Sequence, residues 1–517
     1  MNHSTKRWIS LLLSLLMVTG QGISMGEPEA DLIIEVDPDR VSPVNGGVFE
    51  GWGTSLCWWA NRIGYSDLLS QKAAEAFCDP EKGLGLNILR YNIGGGDDPA
   101  HEHITRTDSM MPGFWKNPTY DTFAGTYSWE YDWDQDKNQR NVLQKCLEIY
   151  GDGMLVEAFS NSPPYFMTES GCSSGAKIPF KDNLKPDAYE AFAEYLADVA
   201  VHFDEAWGIC FQSISPMNEP DTNYWGAFSK KQEGCHFSPG ESQSHILTAL
   251  ADQLHSHGME DVIISGTDET SIDTQIRSLQ SLSQEAKEVI SRVDTHTYQG
   301  SARTLLRNEA IKEGKNLWMS EVDSGDTLGR NAGEMGAGLW LAQRIVDDLN
   351  GLTPSAWILW QVIDSHISQE GYLGRMDTGM VNTAGGYWGT AVADHDREDL
   401  LLTMKYYALG QFTRYIRPGS KLIETQGPAV AAMNEAGDQV TVVVLNSKEQ
   451  EQSLRIDLSA FGASFAGGAA VRTIRTSGSI AQGEHWYELP EEKTTSTIFT
   501  TALPAHAVAT FIFSPEE

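Results

Sequence analysis

Residues 209–221 read ICFQSISPMNEPD: an apolar run, then a turn set by Pro216 and Pro220 that carries Asn218 and Glu219 at its tip. A short apolar run of this kind is a buried strand candidate. The stretch before it is a helix candidate, because Tyr189, Phe192, Leu196, Val199 and Phe203 recur at three- and four-residue spacing and so share one face. Helix followed by buried strand is one unit of a parallel sheet. Working outward, the same unit recurs, with strand candidates at Gly51 to Trp58, Leu86 to Ile93, Met154 to Ser160, Val262 to Gly266, Val293 to Tyr298, Leu317 to Val322 and Trp357 to Val362. Eight parallel strands alternating with eight helices predict a (β/α)8 barrel, whose chemistry sits in the loops after its strands; a doubly wound open sheet is the second choice.

The pattern changes after Pro418. Runs such as Val440 to Leu445, Leu454 to Leu458 and Ala507 to Phe513 are rich in β-branched residues, lack helical periodicity and are punctuated by Gly and Ser. They predict a β-sandwich beside the barrel, joined by the lone N-terminal strand candidate Leu32 to Val36. The start of the chain reads as a secretory signal: Lys6 and Arg7, an apolar run from Trp8 to Val18, then small residues from Thr19 to Gly26. The expected organisation is a signal segment 1–26, a strand segment 27–49, a barrel 50–417 and a sandwich 418–517. Export to the periplasm or the outside follows, with no membrane span, since no later run reaches the roughly 20 apolar residues a crossing needs.

Lys plus Arg (37) against Asp plus Glu (71) leaves a net charge of -34, which repels nucleic acid and anionic surfaces. The 15 Trp, 17 Tyr and 18 Phe exceed what a core needs and suit a neutral, ring-shaped ligand such as an oligosaccharide or polysaccharide. Of the six cysteines, Cys57 and Cys210 fall in apolar strand-like runs, and Cys78 and Cys146 on helical faces, as small core residues do. Cys172 and Cys235 lie in Gly-rich loops; if those loops share one face, the two are candidates for a disulfide in an oxidising compartment.

Strand four delivers Glu219 to the catalytic rim, and strand seven, ending WMSEVDSGD (318–326), delivers Glu321 nearly opposite. A rim glutamate alone is usually solvated or salt-bridged. Two of them at opposed strand ends supply what glycosidic hydrolysis requires: an acid for the leaving oxygen and a carboxylate for the anomeric carbon. A metal-dependent hydrolase is the rival, resting on His101-x-His103, but that pair follows the GGGDD loop, no HExxH occurs and no partner ligands on other strands are evident. No metal or other cofactor is expected. The loop NIGGGDD lacks both GxGxxG spacing and a P-loop lysine, so tight backbone packing explains it better than a phosphate cradle. A barrel that binds sugar without cutting it is the reading from another class.

In order along the chain, LRYNIGGGDD (89–98), FSNSPPYFM (159–167), THTYQG (295–300), WILWQVID (357–364) and YYALGQFTRYIRPGS (406–420) resemble the blocks of glycoside hydrolase family 30. The resemblance covers nearly the whole chain and implies a barrel with a side sandwich. It also implies Glu219 as general acid/base, Glu321 as nucleophile and hydrolysis with retention, with the acid/base protonated in the free enzyme and the nucleophile ionised. It places Asn218 on the sugar hydroxyl next to the anomeric carbon and Arg90 against the catalytic carboxylates. His296 and Tyr298 fall beside the nucleophile, and Trp360 beneath the reacting sugar. Asn161, Gln361, Trp58 and Trp225 are further binding candidates. EGWGTSLCWWAN (50–61) and SNSPPYFMTESGCSSG (160–175) are similar to the endo-β-1,6-galactanase branch, which acts on the galactan side chains of arabinogalactan; a β-1,6-glucanase or another family 30 β-glycosidase is the alternative.

Overall fold

The structure, a computed structural model, describes residues 30–324, 333–369 and 388–516. The expected signal segment therefore lies outside the described residues. Eight strands, β1 (Gly51–Ser55), β2 (Ile88–Asn92), β3 (Leu155–Phe159), β4 (Ser213–Ser215), β5 (Ile263–Ser271), β6 (Ile290–Gln299), β7 (Asn316–Val322) and β8 (Ala356–Leu359), form the barrel. All neighbours pair in parallel, and β8 pairs with β1 to close it. Closure removes the open-sheet alternative. The helix Tyr189–Trp207 buries Tyr189, Phe192, Leu196, Val199 and Phe203, the face its periodicity marks. Each such side chain contributes about 1.5–3 kcal/mol relative to exposure.

The sandwich has a large sheet ordered Lys421–Ile423, Ala429–Met433, Val440–Asn446, Ala507–Pro515, Ala469–Ser477 and Glu484–Glu488. Facing it is a three-stranded sheet in which Gln452–Asp457 lies between Ile498–Leu503 and the N-terminal strand Leu32–Glu35. The run Val440 to Leu445 is apolar but for Thr441 because both its faces are covered. Val440, Val442 and Val444 enter the sandwich core, while Val443 and Leu445, on the alternate face, join the barrel's core. Beneath the barrel helices, Gln411 Oε1 accepts the Thr510 hydroxyl at 2.6 Å, fastening the two parts together.

Two cysteine expectations are corrected. The fourth strand begins only at Ser213, so Cys210 lies outside it, exposed, with its thiol 2.7 Å from Asp204 Oδ1. The loops of Cys172 and Cys235 do meet, Gly234 N–H donating to the Ser173 carbonyl at 3.0 Å, yet both thiols are free. Cys172 Sγ faces His103 and Ser174, whereas Cys235 Sγ turns to the His236 carbonyl.

Candidate active site

At the C-terminal rim a cavity of about 580 Å³ is lined by Asn218, Glu219, Tyr298, Glu321, Trp58 and Trp360, among others. Glu219 holds φ +47°, a left-handed conformation rare outside glycine. It is fixed from both sides of its peptide: its N–H donates to the Asp268 carbonyl at 2.8 Å, and its own carbonyl accepts Trp225 Nε1–H at 2.8 Å. Glu321 comes straight off β7, in register with His296 on β6. His296 and Tyr298 point the same way, as residues two apart on a strand must. Tyr298 donates its hydroxyl to Glu321 Oε1 at 3.0 Å. His296 Nδ1 lies 3.1 Å from Glu219 Oε1 and 3.6 Å from Glu321 Oε1, and its Nε2 lies 3.2 Å from Asp268 Oδ1. One oxygen of Glu219, one of Glu321 and a ring nitrogen of His296 all fall within 4.8 Å of one another.

Beneath this trio the barrel centre is ionic. Arg90 reaches Glu157 at 2.8 Å, Asp268 at 2.5 Å and Glu321 Oε2 at 3.4 Å. Arg292 pairs with Glu157 and, at 2.6 Å, with Asp294. Burial alone would keep His296 neutral, but the charges of Glu321 and Asp268 outweigh it and hold the imidazolium well above its ordinary range. Asp268 is buried as well, yet Arg90 and His296 keep it far below the usual carboxylate range.

The two rim glutamates titrate together. Burial pushes Glu321 up to about 7; the Glu219 charge adds to this, while His296 and Arg90 oppose it. Burial also works against ionised Glu219, but the hydrogen bond and charge of His296, with the Tyr224 hydroxyl, more than offset it and hold Glu219 low. Five buried carboxylates (Glu157, Asp268, Asp294, Glu219, Glu321) face three cations (Arg90, Arg292, His296), an excess of two negative charges, of which one proton shared by the rim pair removes one. Burial thus favours the neutral form of Glu321, while His296 and Tyr224 favour the ionised form of Glu219, directions opposite to the resting arrangement that the resemblance implies.

Of the remaining candidates, Asn218 lines the cavity, and its buried Oδ1 has no hydrogen-bond partner. Trp58 and Trp360 stand edge to face at 5.1 Å as an aromatic wall, and Gln361 braces them, donating to Asp364 Oδ1 at 2.6 Å. Arg90 and His296 lie below the lining and act through the glutamates. Asn161 is buried away from the cavity, its Nδ2 3.9 Å from Cys57 Sγ. Trp225 also leaves the lining: its indole is occupied by the Glu219 carbonyl, and the adjacent Tyr224 faces the cavity instead, donating to Glu219 Oε2.

The residues that sequence reasoning missed are Tyr224, Asp268, Glu157, Arg106 and Trp388. Tyr224 shares the loop of Glu219, five residues on, and Asp268 ends the apolar stretch of β5 in SGTDET, so both carried a positional signal. Arg106 sits on a loop with no such signal, its guanidinium 4.3 Å above the Trp58 ring.

A closed eight-stranded barrel that brings two glutamates together in a rim cavity with aromatic walls is the architecture of a glycoside hydrolase. Residues 48–290 match the model of O-glycosyl hydrolase family 30. The chain is 31% identical over 500 residues to an endo-β-1,6-galactanase of Hypocrea rufa, covering 93% of this chain and 94% of that one. It is 28% identical to an exo-β-1,6-galactobiohydrolase of Bifidobacterium longum subsp. longum, over 80% of this chain and 34% of the relative. The fold is similar to the catalytic domain of a GH30 xylanase C from Talaromyces cellulolyticus, with a TM-score of 0.69 at 17% identity, covering 93% of this chain and all of that one. The protein belongs to glycoside hydrolase family 30.

Proposed function

We propose that this protein is an exported endo-β-1,6-galactanase that cleaves the β-1,6-linked galactan side chains of arabinogalactan with retention, Glu321 acting as nucleophile and Glu219 as acid/base. The observation that carries the chemistry is the approach of the two carboxylates to within 4.8 Å. Retaining enzymes hold their carboxyl groups about 5–5.5 Å apart, whereas inverting ones leave about 6.5–9.5 Å for a water. The linkage is supported by the 31% identity to a β-1,6-galactanase across nearly the whole of both chains.

Glu321 attacks the anomeric carbon as Glu219 protonates the departing oxygen; Glu219 then deprotonates the water that releases the sugar. For this Glu219 must hold the proton of the rim pair when substrate is seated. His296 bonds Glu219 and lies 3.6 Å from Glu321, so it can form a bond to Glu321 as Glu219 turns to the glycosidic oxygen. The orphan Asn218 Oδ1 supplies an acceptor for a sugar hydroxyl. The Trp58–Trp360 wall offers apolar faces to a sugar ring.

Incubating the protein with β-1,6-galactan, β-1,6-glucan and xylan, and sizing the products over time, tests the reading. Early mid-sized galacto-oligosaccharides from galactan alone support it. Faster cleavage of glucan transfers the assignment to a β-1,6-glucanase. Galactan binding without new reducing ends makes the barrel a sugar-binding protein.

A further inference from the structure

A second cluster of chemically capable side chains lies outside the cavity. Asp97, His101 and His103 come from the loop after β2, and Cys172 from the loop after β3. One donor atom from each lies within 4.8 Å of all the others. His101 Nδ1 is 3.3 Å from Asp97 Oδ2, His103 Nδ1 is 3.5 Å from the same oxygen, and the opposite edge of His103 meets Cys172 Sγ at 3.3 Å. His103 can give an ion only one of its two nitrogens, so the four donors, within 4.8 Å of one another, would draw in to the edges, about 3.3–3.8 Å, of a tetrahedron whose centre is 2.0–2.3 Å from nitrogen, oxygen and sulfur donors.

The surroundings orient the donors inward. Asp97 Oδ1 is taken by the Ser173 N–H at 3.0 Å, which leaves Oδ2 facing the two imidazoles. Cys172 Sγ accepts the Phe228 N–H at 3.4 Å and lies 3.1 Å from the Ser174 hydroxyl, which itself donates to the Gly226 carbonyl at 3.1 Å, and these contacts fix where the sulfur sits. The Phe228 ring stands edge to face against both imidazoles, at 5.1 and 5.3 Å. His103 Nδ1 is buried and makes no hydrogen bond. Cys172 is fully buried, yet His101 and Asp97 border a 320 Å³ pocket through which an ion has access.

We propose that Asp97, His101, His103 and Cys172 bind one divalent ion of the zinc type. Two imidazoles and a thiolate disfavour calcium and magnesium, which take oxygen donors, and suit a tetrahedral d-block ion. Four protein ligands leave no open position for substrate, and none of the four lines the cavity of Glu219 and Glu321. The ion's task is to brace. It joins the loops after β2 and β3, and the same β2 loop carries Arg106, which stacks on Trp58 and pairs with Asp364 at 2.9 Å in the cavity wall. The histidine pair was visible in sequence, but Cys172, 69 residues beyond His103, joins it only in the fold.

The test uses the full chain, stripped with chelator and reloaded with zinc or cobalt. Expected are one equivalent of metal per chain, a higher Tm with zinc, and a cobalt spectrum with tetrahedral visible bands and a thiolate charge-transfer band in the near ultraviolet. Cys172→Ser should abolish the charge-transfer band, and His101→Ala with His103→Ala should weaken binding by at least about 100-fold. Glu219→Gln should still bind one equivalent, separating this site from the catalytic carboxylates. Chelation should raise KM more than it lowers kcat. If the histidine variant does not fold, the Cys172→Ser spectrum still decides. Absence of stoichiometric zinc or cobalt, a spectrum indifferent to Cys172→Ser, or loss of the metal in Glu219→Gln overturns the proposal.

Discussion

The barrel centre and the sandwich interior are both buried, and they are filled in opposite ways. Under the rim, Arg90, Glu157, Asp268, Arg292 and Asp294 form a continuous ionic layer, each fully or almost fully buried. The sandwich core is built from Ile34, Val442, Val444, Ile456, Phe499, Phe511 and their apolar neighbours. Burying ions is expensive and seldom the cheapest route to stability, whereas apolar packing stabilises directly. The ionic layer is therefore read as a positioning device: it sets the charge and orientation of two glutamates that must differ by one proton. The sandwich carries no such demand.

The largest expected effect falls on the rim pair. Glu321→Ala should remove turnover on every substrate by roughly 10⁴-fold or more, because no nucleophile remains. Glu219→Ala should do the same on galactan but keep slow activity on aryl galactosides whose leaving groups need no proton. Initial rates on both substrate types check this; equal residual activity in the two variants breaks the role assignment. Next, Arg90→Met strands Glu157, Asp268 and Glu321 without their cation, and should cost about 3–5 kcal/mol as well as activity. Phe511→Ala in the sandwich should cost a similar 3–5 kcal/mol through the cavity it leaves, while kcat per folded molecule stays near wild type. Denaturant unfolding and kcat on the folded fraction separate the two. A Phe511→Ala enzyme that loses kcat with its stability would show that the sandwich also shapes the site.

The same contrast explains what the sequence disclosed. Strand positions were legible because buried parallel strands are short apolar runs, and the β-branched run Val440 to Leu445, without helical periodicity, marked the sandwich strand. Glu219 and Glu321 were legible because each ends such a run. The ionic layer was not. Glu157 sits inside a strand that reads as apolar, and nothing local says that Arg90 and Arg292 will neutralise it from two other strands; Asp294 has Arg292 two residues before it on its own strand. Trp225 was named and Tyr224 missed because composition cannot tell which of two adjacent aromatics faces the cavity. The Cys172–Cys235 pairing failed for the same reason: the loops converge, but the directions of their side chains depend on contacts from three separate loops.

The shared proton makes the ionic layer visible in a pH profile. The working enzyme holds one proton on the rim pair, and the last one leaves as pH rises through about 7, the value to which burial pushes Glu321. kcat/KM, which reports the free enzyme, should be level on the mildly acidic side and fall about tenfold per unit above that point. A profile that stays level well beyond neutrality would mean that the proton is held elsewhere.

The smallest effect is the most direct measure of what the site costs the fold. Glu321 has its folded pKa raised from 4.5 to about 7. Below about pH 4.5 it is neutral in both folded and unfolded chains and makes no difference to stability. Between 4.5 and 7 the unfolded chain ionises first, so the stability referable to this group falls as pH rises; above 7 the penalty is complete. Glu321→Gln keeps the shape and an acceptor for Tyr298 but cannot ionise. It should leave stability unchanged in acid and raise it by about 1–3 kcal/mol on the alkaline side of neutrality, while turnover is lost. Paired melts of the two proteins across that range read the difference. A gain that is the same at every pH would trace to packing instead, and the carboxylate would then cost the barrel nothing by being charged.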